Sequence, residues 1–496
     1  MRAGPRVLTG SAATLRCTIA VLFSLMNQDS STVRLTSWLR EEIRGSRPGD
    51  RLPSTRALVD THRVSPVTVS RVLAALGAEG LVVSRPGAGT FVAPPPRPSR
   101  PADYSWQTIA LSDRTVDTAG LSPLADPPHE DGVISLATGY LHPSLMPVRA
   151  LSAALARAAR LPDAWDRPPV AGLHGLRSWF ARAASPDADA GDVVVTAGGQ
   201  AAITAAFRAL VPAGGRLLVE SPTYPGALAV ARAAGLRPVP VPADAFGVLP
   251  DLLADAFART GALAVYCQPA YHTPAGTVLA GPRREAVLAA AAAAGAFVIE
   301  DECGRWLAHG QRPPPTLLAA DRDGRVVYLT SLTKAASPSL RIGALIARGP
   351  VAARLRALRV VDDMFVARPV QEAALDLVSG AAWDRHLRGL AQALTGRARA
   401  LASALARHAP GVAFIPPAGG MHLWARLPAG LDEAEAAQAA RRSGVAVMPG
   451  RPFFPAEPPG PYLRLTFSAA PASGDLDAAV RRLAAAVPEL ARPADG

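Results

Sequence analysis

The sequence is almost without lysine. Of its 52 basic residues 51 are arginine, and Lys334 alone carries a side-chain primary amine. A drift toward arginine can sweep lysine from most surfaces, because a solvated positive charge is all those positions require. A lysine that survives marks chemistry a guanidinium cannot do, imine formation above all, which needs an amine able to lose its proton. Cysteine is scarce as well. Cys17, Cys267 and Cys303 form no even set and show no metal-ligand spacing. That excludes a disulfide framework and gives no reason to expect a metal, and it is the usage of a reducing, cytoplasmic compartment. No apolar run is long enough to cross a bilayer, so no membrane partner is expected. The run Cys17–Leu25, behind Arg2, Arg6 and Arg16, has the outline of a secretion signal but no small-x-small cleavage site after it. Residues 1–30 therefore read as an extension, or as a start placed upstream of Met26.

What is present points to several domains. A chain of 496 residues exceeds one compact core. At 49% hydrophobic and 19% charged it has the composition of a globular protein rather than a disordered one. The formal charge of +12 favours an anionic partner, nucleic acid first.

Residues 31–93 read as three helices and a hairpin. Val33, Leu35, Trp38, Leu39 and Ile43 recur at helical spacing and stop at Gly45. Ser54 is placed to cap a short helix over Thr55–Thr61, and Ser65 to cap a third that starts on Pro66 and runs to Gly80. Leu81–Ser84, the turn Arg85–Gly89 and Thr90–Val92 then read as strand, turn, strand. Two helices joined by a short turn and followed by a hairpin outline a winged helix-turn-helix.

The stretches RPGDRLPSTRAL, VSPVTVSRVLAALGAEGLV and SRPGAGTFV, at 47–58, 64–82 and 84–92, resemble the winged helix-turn-helix of the GntR family. From Val33 to Arg97 ten arginines face five acidic residues, a suitable footprint for phosphates. The resemblance implies a third helix in the major groove of operator DNA. It nominates Arg56, Ser65, Val67, Thr68 and Arg71 as contacts, with Arg85, Gly87 and Gly89 at the wing. Pro66 and Ser70 stand where relatives carry Arg, which weakens guanine readout by that helix.

A proline-dense segment, PPPRPSRP, opens a linker over 94–130. From 131 to 490 short apolar runs alternate with Ala- and Leu-rich helical stretches. Val193–Thr196, Arg216–Val219, Leu263–Tyr266, Ala296–Ile299 and Val326–Leu329 read as buried strands of a mostly parallel sheet with helices on both faces, an α/β fold. Beyond about 375 the pattern becomes α+β: a helix near 386–407, strands near Met421–Ala425 and Leu463–Thr466, and a closing helix. This reads as a smaller C-terminal lobe.

Lys334 sits in Ser331-Leu332-Thr333-Lys334, with Arg341-Ile342-Gly343 following. This resembles the lysine segment of fold-type I aminotransferases, where the amine forms a Schiff base with pyridoxal 5′-phosphate (PLP). The resemblance implies that Ser331, Thr333 and Arg341 hold the phosphate, with the amides of Gly198, Gly199 and Gln200 at a helix start. It further implies that Tyr224 stacks on the pyridine ring and Asp301 pairs with its nitrogen. Arg464 matches the arginine that takes a substrate carboxylate.

A winged helix ahead of such a domain is the arrangement of the MocR group of GntR regulators. Membership implies a homodimer whose PLP domain senses a small amine, amino acid or vitamer and repositions its DNA-binding arms. Three positions depart from the aminotransferase pattern: Thr273 replaces an Asn and Gly304 a Tyr, both expected at the ring's 3′-oxygen, and Val170 replaces a Tyr reaching the partner's phosphate. Tyr271 and His272 are the available substitutes for the lost donors. Gly226, where GABA-responsive relatives carry Arg, disfavours a GABA-like effector. These departures favour a sensor over an efficient transaminase. An active aminotransferase carrying a DNA-binding arm and a cofactor-free scaffold remain as alternatives.

Overall fold

A computed structural model describes residues 31–94, 103–111, 118, 120, 121 and 132–492. The N-terminal extension and most of the expected linker lie outside the described residues. By its internal contacts the chain divides into two compact units, Met1–Arg114 and Thr115–Gly496.

The first unit is a winged helix-turn-helix. α1 spans 31–45, α2 Thr55–His62 and α3 Pro66–Ala78, and the hairpin pairs β1 (Val82–Arg85) with β2 (Gly89–Val92). Both expected caps form: Ser54 Oγ accepts from the Ala57 amide at 3.2 Å, and Ser65 Oγ from the Thr68 amide at 3.1 Å. α2 ends where Arg63 turns left-handed, at φ 52°. The core is small, formed by Leu35, Leu39, Leu58, Val69, Val72 and Leu76 against Val82 and Val92. The turn demands glycine at its tip, where Gly87 has φ 74°, and again at Gly89, where a Cβ would come within 2.9 Å of Arg51 Nε.

In the second unit β3 (Ile134–Ser135) precedes an eight-stranded sheet. Its members are β4 (Val193–Thr196), β5 (Arg216–Ser221), β6 (Arg237–Asp244), β7 (Gly247–Val248), β8 (Ala264–Cys267), β9 (Phe297–Asp301), β10 (Val326–Ser331) and β11 (Gly343–Ile346). Their spatial order is β4-β11-β10-β9-β8-β5-β6-β7. The run β10-β9-β8-β5-β6 is parallel, and β11 and β7 are antiparallel to their neighbours. The continuous apolar runs follow from burial on both faces. Leu218, Val265 and Val298 join one core cluster, while Leu217, Val219, Ala264, Tyr266 and Ile299 join another on the opposite face, the two-residue period of a strand.

The smaller lobe holds the helix Ala381–His408 and a second sheet of β12 (Ala413–Phe414), β13 (His422–Arg426), β15 (Met448–Pro449) and β16 (Tyr462–Thr466). β14 (Val445–Ala446) pairs in parallel with β3, tying that lobe to residues 134–135. The α/β and α+β halves expected from the pattern are therefore both present.

Leu39 is fully buried at the centre of the first unit's small core. Leu39→Ala is expected to cost about 2–5 kcal/mol, a large share of what so small a core supplies. A melt of the full chain should show an early transition assignable to residues 31–93, with the transition of the aminotransferase-like unit unmoved.

Candidate cofactor and effector site

The parallel strands deliver their last residues to one edge of the sheet, where ligand crevices of open α/β sheets form. β9 ends on Asp301, and β10 ends on Ser331 with Thr333 and Lys334 just beyond. β4 ends on Thr196 and leads through Gly198 into the helix Gly199–Leu210. β5 ends on Ser221 and leads to Tyr224, which precedes the helix Pro225–Ala233. β16 of the smaller lobe contributes Arg464. Of these, Gly199, Tyr224, Asp301, Ser331, Thr333, Lys334 and Arg464 line one cavity of about 420 Å³.

Lys334 donates from Nζ to the Gly139 carbonyl at 2.8 Å and lies 4.3 Å from the centre of the Tyr140 ring. Burial and the neighbouring Arg464 and Arg341 lower its pKa to about 8, the burial being the larger effect, against the pull of Cys303 and Asp301. Asp301 is buried, which raises its pKa; Tyr266 donates to Oδ2 at 2.6 Å and the Cys303 amide to Oδ1 at 2.9 Å, both favouring the ionised form. Tyr266 is itself wholly buried and meets Phe207 edge-on.

The helix start at Gly199 is bare by necessity. A Cβ on Gly199 would come within 2.7 Å of Cys303 Sγ, and one on Gly198 within 2.9 Å of the Arg341 guanidinium. Arg341, itself in a left-handed turn at φ 49°, donates to the Ala197 carbonyl at 3.0 Å on the exposed rim. Ser331 Oγ lies 2.8 Å from Thr333 Oγ1. Tyr224 donates to Gln200 Oε1 at 3.1 Å, and Gln200 Nε2 donates to the Gly226 carbonyl at 3.1 Å. The Tyr224 ring folds back over Gly226, where a Cβ would come within 2.3 Å of it. No larger side chain fits there without displacing the ring.

Arg464 is 1% exposed. It donates to the carbonyls of Ala137 and, at 3.2 Å, Thr138, while its Nε has no partner among the described residues. Burial pulls its pKa down to about 9, so it is charged at neutral pH. A buried guanidinium that lines the cavity, lies 5.4 Å over the Phe453 ring and keeps an unpartnered donor is suited to a carboxylate.

The structure thus gathers Gly199, Gln200, Tyr224, Asp301, Ser331, Thr333, Lys334, Arg341 and Arg464 into one cavity. Thr273 and Gly304 line it as well, whereas Val170 does not. One expectation needs correction, that for Thr68. Tyr271 and His272, the available substitutes for the lost donors, both line the cavity; the Tyr271 hydroxyl donates to the Gln311 carbonyl at 3.1 Å, and the buried His272 Nε2 lies 3.4 Å from Glu220. Thr68 is 7% exposed and its hydroxyl lies 2.8 Å from that of Ser65, so it faces the core instead of the groove. Arg56, Ser65, Val67 and Arg71 are all exposed, and the Arg85 guanidinium packs 5.0 Å above the Phe91 ring. Sequence reasoning missed Tyr140 and Tyr266. The first precedes the first strand read in the sequence, Val193–Thr196, and belongs to no motif, and the second has the pattern of an ordinary buried strand residue.

The donor set fits PLP by its chemistry: a lysine of lowered pKa, a buried carboxylate, an aromatic face, and a helix start with two hydroxyls and an arginine for the phosphate. Fold and site together define an aminotransferase-type domain behind a helix-turn-helix. The family model for aminotransferase class I and II matches residues 132–483, and that for bacterial regulatory proteins of the gntR family matches 33–92. The chain is 30% identical over 464 residues to the HTH-type transcriptional regulator TauR of Rhodobacter capsulatus, covering 89% of this chain and 93% of that protein. It is 29% identical over 441 residues to the uncharacterized HTH-type transcriptional regulator YdcR of Escherichia coli, covering 86% of this chain and 92% of that one. Among solved structures, LysN, the alpha-aminoadipate aminotransferase of Thermus thermophilus complexed with N-(5′-phosphopyridoxyl)-L-leucine, superposes with a TM-score of 0.72 at 27% identity, over 78% of this chain and 99% of that one. The chain belongs to the MocR-like regulators, in which a GntR-family helix-turn-helix is fused to an aminotransferase class I and II domain.

A lysine of lowered pKa gives up its proton in an accessible range. In protein first stripped of any carbonyl compound with hydroxylamine, carbamylation of the Lys334 peptide by cyanate, followed by mass spectrometry, is expected to rise with pH to a plateau with its midpoint near 8. A midpoint near the ordinary value of about 10.4 would remove the argument from burial.

Proposed function

We propose that the protein is a PLP-dependent transcriptional regulator acting as a homodimer. Residues 31–93 bind operator DNA, 94–130 form the linker, and 131–490 hold the cofactor and sense a small carboxylate-bearing amine with little turnover. The observation that carries this reading is Lys334: the one lysine of the chain stands in a cavity with Asp301, Tyr224 and Arg341, behind a winged helix.

Bound PLP supplies an electrophilic carbon for an amine and a ring that withdraws electrons. Lys334 would hold it covalently, and Asp301, kept in place by Tyr266 and the Cys303 amide, would hold a proton at the ring nitrogen. Tyr224, braced by Gln200, would cover one face of the ring. Thr333, Ser331 and Arg341 would bind the phosphate with the amides at Gly199. Arg464 would orient the effector through its carboxylate. At the 3′-oxygen, Thr273 and Gly304 offer neither the amide nor the phenol of an efficient transaminase, so proton transfers after capture lack tuned partners. An effector changes operator affinity only by binding two dimer conformations unequally.

The protein is expected to purify yellow or become so with PLP, and borohydride should fix the pyridoxyl mass on the Lys334 peptide. A protein colourless after PLP addition would sink the cofactor assignment. Robust multiple-turnover formation of a 2-oxo acid would instead promote the enzyme reading, which the intact set of Lys334, Asp301 and Arg464 keeps open. Arg56→Ala should weaken specific operator binding by about 1–3 kcal/mol at physiological salt, measured by anisotropy; an unchanged affinity would dismiss Arg56 as a contact.

A further inference from the structure

The charges of the cavity are already committed. Among its described lining residues the lysine and arginine side chains are Lys334, Arg341 and Arg464. Lys334 and Arg464 are bound to neighbouring carbonyls of one segment, Gly139 for the first and Ala137 and Thr138 for the second. A ligand spanning amine and carboxylate between them lies along residues 137–140. Arg341, bonded to Ala197 at the helix start, belongs to the phosphate end. Gly226 offers no charge, and the Tyr224 ring fills the space above it.

No lysine or arginine of the lining is therefore left for a second carboxylate, and its one carboxylate, Asp301, would be taken by the ring nitrogen, so a cationic side chain finds no partner either. His422 does not supply one, since it is buried, shares a 2.9 Å hydrogen bond with Thr466, and is neutral because burial drives its pKa well down. The Gln268 amide is spent on Thr223 and Thr273. Beside the amine stands the Tyr140 ring, 4.3 Å from Nζ; Leu121, Leu307 and Met421 contribute apolar wall, and the other polar lining residues, Tyr271, His272, Thr273 and Cys303, include no lysine or arginine. Burying an unpaired charge against such a wall is strongly unfavourable, whereas apolar area gained there stabilises.

We infer that the effector is an α-amino acid with an uncharged, apolar side chain seated against Tyr140 and Leu121. This rests on the reading of the cavity as a receptor for a carboxylate-bearing amine. The test is a visible-absorbance titration of the full-length, PLP-loaded protein with L-leucine, L-phenylalanine, L-alanine, L-glutamate and L-lysine. Half-saturation by leucine or phenylalanine is expected at least about tenfold below that of glutamate and lysine. Glutamate or lysine binding as well as leucine would overturn the inference while leaving the receptor reading intact. Silence toward every amine would remove the receptor reading and this assignment with it. In Leu121→Ala, a half-buried position at the cavity, the leucine half-saturation should rise about fivefold while that of L-alanine stays put. Equal effects on the two would show that the side chain is not seated at Leu121.

Discussion

Charge withdrawn from water at the carboxyl edge of a parallel sheet is the condition the rest of this structure answers to. Asp301, Lys334 and Arg464 are drawn into one cavity, and among the described residues none of them has an ion-pair partner within 4.0 Å. Each is held by neutral dipoles: a phenol and an amide for Asp301, and carbonyls of residues 137–139 for the two cations. The segment 137–139 can serve both because β3 beside it pairs with β14 and Arg464 sits on β16. The register of the smaller lobe thus decides where a carboxylate would be read.

That arrangement is poised toward ligand. Buried polar groups satisfied only by dipoles retain binding capacity, most plainly the open Nε of Arg464. The glycines of the site follow from the same crowding. Gly199 lies under Cys303, Gly226 under the Tyr224 ring and Gly419 under the Tyr271 ring, each with a Cβ contact no side chain could accept. Close approach of rings and sulfur to backbone, more than any turn geometry, fixes these positions.

Much of the fold was legible because its signals are local. A strand buried on both faces must be apolar throughout, so Val193–Thr196 was read to the residue and the four others named in the sequence within two, whereas β6, β7 and β11 went unread. Serine caps announced α2 and α3 in the same way. The cavity residues were legible through their order around a solitary lysine. What escaped depends on three-dimensional phase. Thr68 faces inward because α3 turns that side to Val69 and Val72's core, which a cap at Ser65 does not reveal. Tyr266 supports Asp301 only because β8 and β9 run side by side in register, with Tyr266 opposite Ile299. Tyr140 belongs to no motif and precedes the first strand read in the sequence, so nothing local marked it.

The near absence of lysine also shapes the DNA-binding unit. Between residues 31 and 94 there is no lysine, cysteine or tyrosine, and His62 is the one histidine. Above neutrality nothing in that segment can change charge until arginine itself titrates. Its electrostatic grip on a phosphate backbone is therefore alkali-insensitive, and enzymes that acylate lysine find no target on it. Control over that grip is closed to lysine modification and to alkaline titration, which leaves phosphorylation of its serines and threonines or a change of geometry.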